Sequence, residues 1–338
     1  MADGPSDFGN ETWIYGGDGS EWCAENPTID QCWDYHVPSH YHYDINLAAN
    51  VALAVIFALS LVGFIVVWAS TRRATAFCVT LSLGVICEIF GYIGRIMSYD
   101  NPWDDPGFMI QICCLTIGPA FMAAGLYLCL RRIVIAYGQE NSRIKASHYT
   151  LIFVPCDFVA LVLQAVGGVI AAISEDPEDG QMGVDIMVAG LAVQVATSIG
   201  FITAYVFFVL RCRKRYRLLG DDAYEQDPAI AGMRNSIKFK LFRVAHITST
   251  LCILWRSCFR LAEMAGGQGN WLQQRQDLFI GMEGGLIVIA VLLLNFFHPA
   301  FCLKEVFMLP KPPSNRGGLF GMFRKKQPVV FKEEMEDI

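Results

Sequence analysis

A chain of 338 residues that is 54% hydrophobic and only 17% charged, with a mean hydropathy of +0.39, is too apolar for two ordinary soluble domains and fits a protein built into a bilayer. The formal net charge of −6 means little by itself, because acidic and basic residues are segregated along the chain, and nucleic acid is not expected as a partner. The first 44 residues hold nine acids and no Lys or Arg. They read as an extracytoplasmic tail, 1–44, with no cleavable signal peptide, retained ahead of a first span that serves as the insertion signal. Asn10-Glu11-Thr12 is a glycosylation sequon. Cys23 and Cys32 are the tail's two cysteines, expected to form a disulfide in an oxidising compartment. His36, His40 and His42, flanked by Tyr35, Tyr41 and Tyr43, fit an aromatic interfacial belt better than a metal site.

About 20 apolar residues are needed to cross a bilayer as a helix. Such runs occur at about 45–69, 75–97, 108–130, 149–173, 184–210, 242–265 and 278–303. The fold class expected is an all-α membrane protein, a bundle of seven transmembrane helices over 45–303. With the N-terminus outside, 22 of the 26 Lys and Arg fall on the cytoplasmic side, including the nine from Arg211 to Arg243 and the seven from Lys304 onward. Basic residues stay inside, so the expected topology is N-out and C-in, with an odd number of spans. The loop 211–241 and the tail 304–338 are expected to be mobile cytoplasmic segments attracted to anionic lipid.

Charges inside the spans are the informative feature. In the sixth span Arg256, Arg260 and Glu263 fall at i, i+4 and i+7, on one helix face. Counting about 1.5 Å per residue from Phe242 puts them about 21, 27 and 32 Å from the cytoplasmic end. The second span mirrors them with Glu88 and Arg95, and Glu283 enters the seventh at a similar level. Three acids and three arginines thus meet at one depth and sum to zero. A lone charge there costs from about 3 kcal/mol upward, so pairing is expected, Glu88 with Arg256 or Arg260 and Arg95 with Glu263. The cluster reads either as a purely architectural ion-pair network or as a polar cavity open to the outer leaflet that holds a headgroup. Asp157, about 12 Å from the cytoplasmic end of the fourth span, has no basic partner at its depth, and Gln164 lies two turns further on the same face. That carboxylate reads as a receiver of a cationic group or proton, or as a hydrogen-bond partner of a neighbouring backbone. Glycines such as Gly91, Gly94, Gly167, Gly168, Gly284 and Gly285 suit close helix packing, and Pro119 and Pro155 suit kinks.

These residues, in order, resemble the fungal RTA-like family of seven-span lipid-translocating exporters, named for resistance to aminocholesterol and including sphingoid long-chain-base exporters. The likeness runs from about Asn50 to Pro299. It is carried by Glu88-x-x-Gly91-Tyr92-x-x-Arg95, by Gly118-Pro119 with Ala123, Ala124 and Tyr127, and by Asp157 with Gln164, Gly167 and Gly168. Gly190-Leu191 with Gln194, then Arg256, Arg260, Glu263 and Gly266, then His298-Pro299 complete it. The chain departs from the pattern before the last span, where Glu, Tyr and Asp are replaced by Gln276, Ile280 and Glu283. The resemblance implies a plasma-membrane or endomembrane protein that exports or flips amphiphiles such as sphingoid bases and contributes to drug tolerance. It implies a substrate site among Glu88, Tyr92, Arg95, Tyr127, Asp157, Gln164, Gln194, Arg256, Arg260, Glu263 and Glu283, membrane lipids as partners, and no cofactor.

Other classes fit less well. No G-x-x-x-x-G-K-[ST] loop is present, which argues against ATP-driven pumping within this chain. The third span ends LYLCLRRIVIAY without an Asp-Arg-Tyr-like triplet, and the seventh reads NFFHPAF without Asn-Pro-x-x-Tyr, which disfavours the common heptahelical receptors. No lysine lies inside a span to hold retinal as a Schiff base, and only His246 and His298 approach the spans, too few for a zinc hydrolase. A seven-helix lipid or stress sensor without transport activity is the competing reading.

Overall fold

An apolar segment surrounded by lipid must satisfy its backbone N–H and C=O groups internally, and a helix does so within one strand of chain. The structure, a computed structural model, describes residues 41, 43–174, 176–267, 271–272 and 274–308. Its long helices are α1 (Leu47–Thr71), α2 (Thr75–Asp100), α3 (Asp105–Tyr137), α4 (Ala146–Ile173), α5 (Pro177–Leu219) and α6 (Ile237–Ala265). A seventh long helix, α7, runs from Gln276–Leu278 through a π-helical turn at Phe279–Gly285 into Leu286–Phe296, and short helices follow at Pro299–Cys302 and Lys304–Met308. No strand occurs among the described residues. Asn10, Cys23, Cys32, His36, His40 and His42 lie outside them, as does the chain from residue 309 on.

Six of these helices, all but α6, are long and apolar enough to cross a membrane. α6 falls short because its 29 residues include Lys238, Lys240, Arg243, Arg256, Arg260 and Glu263. Neighbours in sequence are neighbours in space, since α1 packs on α2, α2 on α3 and so on to α6 on α7, and α7 returns to α1. α3 also touches α5 and α6 and is the most enclosed, with 61% of its apolar window buried against 22% for α1 and α4. Large apolar side chains point outward, among them Leu59 (67% exposed), Phe158 (65%) and Phe207 (67%). An apolar belt of this kind is matched by acyl chains rather than by water.

α3 and α5 outrun the expected spans, because hydropathy marks where a helix leaves lipid and not where its hydrogen bonding stops. They end at Gly138 (φ 95°) and Gly220 (φ 62°), conformations that a side chain disfavours. The expectation of a mobile 211–241 loop is corrected. α5 carries its basic end as helix, a short helix over Pro228–Asn235 is capped by the Asp227 carboxylate on Ala229 N–H (2.9 Å), and Ile230 and Arg234 are buried. Asn141 Nδ2 donates to Ala223 O (2.8 Å), Arg215 pairs with Glu140 (3.1 Å) and Arg243 bonds the Tyr137 hydroxyl. Backbone carbonyls and aromatic faces thus hold Arg234 and Arg243, charges that composition alone assigns to solvent.

α4 and α5 approach at Gly167, where an added Cβ would sit 2.5 Å from Gly183 O and 2.6 Å from Met187 N. Backbone is the obstacle, so no rotamer change makes room. Gly168 next to it meets nothing closer than 4.0 Å and is not required for the contact.

Candidate functional site

The face of α2 that carries Glu88, Tyr92 and Arg95 turns inward, and all three are buried. Arg95 Nη2 donates to the Tyr43 hydroxyl (2.6 Å), Nη1 donates to Gln111 Oε1 (3.3 Å), and the guanidinium lies 4.0 Å from the Phe279 ring centroid. Among the described residues it has no carboxylate partner. Tyr41 lies 2.8 Å from Gln111 Oε1 and 3.0 Å from Ser98 Oγ, and burial pushes its phenol up to about 12. Tyr41 and Tyr43 are therefore not an interfacial belt. They fold inward because Arg95 and Gln111 offer buried polar partners that would otherwise be left without any.

Beside this group is a cavity of about 420 Å³, within the range of small-ligand sites. Tyr41, Tyr43, Arg95, Gln111, Gln164, Arg260 and Glu263 give it polar wall, and Ile112, Ile117, Leu161, Val169 and Met187 give it apolar wall. Arg260 Nη1 donates to Glu263 Oε2 at 2.7 Å, a pair closed within one helix by i, i+3 spacing. A cavity with charged and amide groups beside aliphatic ones suits a molecule with a polar head and an apolar body.

A second polar group lies among α2, α3, α6 and α7 and does not line that cavity. Arg256 pairs with Glu283 from the π-helical turn and also donates through Nη2 to Leu115 O. Glu88 is 1% exposed, and neither of its carboxylate oxygens has a hydrogen-bond partner. Tyr92, stacked on Phe57, has an unbonded hydroxyl as well. The pairing expected from sequence is thus corrected. Arg256 takes Glu283 rather than Glu88, Arg260 takes Glu263 on its own helix, and Arg95 takes a phenol and an amide. Residues at one depth can pair in several ways, and helix rotation, which depth does not report, selects among them.

The third group joins α3 to α4. Tyr127 donates its hydroxyl to Asp157 Oδ2 at 2.8 Å, packed between Phe153 and Phe201. The partner of Asp157 is thus a phenol and not a neighbouring backbone group. One face further along α4, Gln164 Nε2 donates to Gln194 Oε1 of α5 (3.2 Å), so Gln194 reaches the cavity through Gln164. The residues expected to share one cavity are divided among three buried groups. Sequence reasoning missed Gln111 and Phe279, and the signal for Gln111 was a lone amide in the apolar run MIQICC.

Two flanking contacts complete the picture. Gln276, one of the departures from the family pattern, accepts from Asn46 N–H (3.1 Å) and donates to Asp44 O (2.8 Å), tying α7 to α1 with a donor that a carboxylate lacks. His298 accepts through Nδ1 from Ala300 N–H (3.1 Å), so its proton sits on Nε2, which faces Cys78 Sγ at 3.4 Å. That histidine caps a helix start. Among the described residues no cluster of His, Cys, Asp or Glu could hold a metal ion.

Residues 81–306 match the family model described as RTA1 like protein. The chain belongs to the RTA1-like family. The matched segment begins within α2 and takes in every helix that frames the cavity, while Tyr41 and Tyr43 precede it. This RTA1-like chain is 30% identical to the sphingoid long-chain base transporter RSB1 of Saccharomyces cerevisiae over 280 residues, 77% of this chain and 73% of the relative. It is 28% identical to protoporphyrin uptake protein 1 of the same yeast over 227 residues, 66% of this chain and 70% of the relative. It is 24% identical to the yeast protein RTA1 over 294 residues, 80% and 86% of the two chains. No solved structure matches the RTA1-like chain.

Proposed function

We propose that this chain is a seven-span carrier, N-terminus outside and C-terminus cytoplasmic, that moves amphiphiles of the sphingoid long-chain-base class across a membrane, most plainly the plasma membrane. The cavity carries the reading. A long-chain base has an ammonium and hydroxyls at one end of an alkyl chain. Glu263 supplies a carboxylate for the first, Gln111, Gln164, Tyr41 and Tyr43 supply hydroxyl partners, and the aliphatic side chains of α3, α4 and α5 supply the apolar wall. The buried arginines of α6, a helix too charged to pass as a span by composition, have partners on α3, α6 and α7, which supports counting it among seven spans. Movement by this route is facilitated, coupled to an ion gradient or driven by a partner, and confers tolerance of toxic lipids or drugs.

The test is reconstitution into liposomes with a fluorescent long-chain base. Transfer above protein-free vesicles, reduced at least tenfold by Glu263→Gln, supports the carrier. Binding without transfer would make the protein a lipid or stress sensor. Orientation is tested separately, since Asn10→Gln removes a glycan-dependent mobility shift only if the tail is outside.

A second reading has its own support. Arg95 borders the cavity without a carboxylate partner among the described residues, so the cavity's charged groups sum to +1. That balance suits an anionic amphiphile, and one relative is named for uptake of a tetrapyrrole that carries carboxylates. Offering a long-chain base and a tetrapyrrole carboxylate to the same vesicles separates the two.

A further inference from the structure

The carrier reading uses the cavity and leaves the second buried group without a task. That group holds Glu88, Glu283 and Arg256, whose formal charges sum to −1 if both acids are ionised. Every charged or titratable group facing Glu88 can be named: Arg256 from α6, Glu283 from α7, Cys114 from α3, and Cys87 and Tyr92 on its own helix. α1 carries no charged or titratable residue and places the apolar Leu53 and Phe57 beside Tyr92. Arg256 bonds Glu283 and Leu115 O through Nη2 and is the single cation facing the two carboxylates, so one of them is left unbalanced.

Glycines make room for the group. A Cβ at Gly118 of α3 would stand 2.9 Å from Glu88 Oε1, and one at Gly284 of α7 would stand 2.6 Å from the Tyr92 hydroxyl. Both oxygens of Glu88, Oε2 of Glu283, the Tyr92 hydroxyl, and Nε and Nη1 of Arg256 are all buried with no hydrogen-bond partner. Unmet donors and acceptors are rare in a finished core, and here six gather, two of them on the uncompensated acid itself. The last carboxylate, Glu283, sits in a π-helical turn, a distortion that recurs at functional sites.

We propose that Glu88 is a proton-binding site, and that it releases its proton when a cationic amphiphile occupies the neighbouring cavity. This rests on the carrier reading. The link is α6, on which Arg256 of the acid cluster and Arg260 of the cavity are one turn apart. An ammonium arriving beside Glu263 adds a positive charge to this unit. The loss of H⁺ from the Glu88 carboxyl, COOH to COO⁻, removes one and leaves the sum unchanged. The carrier then exchanges one proton for one amine, which supplies a driving force without nucleotide.

The experiment uses purified full-length protein in detergent. Infrared spectra at neutral pH should show the carbonyl stretch of a buried protonated carboxylic acid, lost in Glu88→Gln, retained in Asp157→Asn and shifted but present in Glu88→Asp. Addition of a long-chain base should release close to one proton per molecule bound, read with a pH indicator, and Glu88→Gln should abolish the release. Thermal melting of each variant confirms that it is folded. A wild-type protein with no band that follows Glu88 would overturn the proposal, as would undiminished proton release from Glu88→Gln. If the band follows Glu88 but no amphiphile binds or moves, the carrier reading fails and the proton site stands.

Discussion

Arg256 of α6 is anchored on α3 by the carbonyl that Pro119 leaves free. In an α-helix the N–H of residue 119 would bond the carbonyl of residue 115, but proline has no N–H, and Arg256 Nη2 bonds Leu115 O instead. The proline that reads in sequence as a kink thus has a second consequence, an acceptor opened for a buried cation. Pro119→Ala restores the competing donor. A charge-assisted hydrogen bond is worth about 1.5–3 kcal/mol and a backbone bond about 1 kcal/mol, so the variant should be less stable by about 0.5–2 kcal/mol in detergent melts. A variant as stable as the native protein would show that this carbonyl does not hold Arg256.

Charge exchange separates the observed pairs from those expected by depth. Arg256→Glu or Glu283→Arg alone strands a buried charge and should cost about 3–5 kcal/mol, whereas the double exchange should recover part of it. Exchanging Arg95 with Glu263 should recover nothing, because Arg95 contacts Tyr43, Gln111 and Phe279, and Glu263 contacts Arg260. Recovery in the second exchange and not the first would reverse the assignment.

Tyr127 and Asp157 should behave as a coupled pair. Tyr127→Phe and Asp157→Asn each disturb the 2.8 Å bond between α3 and α4, so the double variant should be less destabilised than the sum, by about 0.5–3 kcal/mol. Additive melts would mean that the bond contributes nothing. Amphiphile transfer in the same variants shows whether the pair has a task besides stability.

Gly167→Ala should cost about 1–3 kcal/mol, since the methyl meets backbone on α5 that cannot rotate away. Gly168→Ala, with open space around it, should be nearly neutral. Because Gly168, Val169 and Met187 border the cavity, parting α4 from α5 at Gly167 should also weaken amphiphile binding. Equal effects at the two glycines would contradict the contact described.

The helical class and the position of six apolar segments were legible in sequence, because about 20 apolar residues leave the chain few ways to satisfy its backbone. The inward face of α2 and the burial of Arg256, Arg260 and Glu263 were legible for the same kind of reason, the high cost of a charge in lipid. Which acid serves which arginine was not. Depth follows from residue number, but the pairing depends on helix rotation and on the extra residue that a π-helical turn inserts near Glu283. The role of Tyr43 was hidden differently. A tyrosine beside a span suits a headgroup belt, and only the fold of the preceding chain brings its hydroxyl to Arg95.

The composition of α6 bears on how the protein is made. An arginine at the middle of a helix costs about 2.5–3.5 kcal/mol to insert, so Arg256 and Arg260, both past the middle of α6, weaken its insertion when it emerges alone. One remedy, Glu283, lies on α7 and is synthesised later. In a seven-span arrangement α6 therefore settles in the bilayer only in company, and chains truncated before α7 should leave it stranded at the surface. In that arrangement α7, translated after α6, licenses the helix before it.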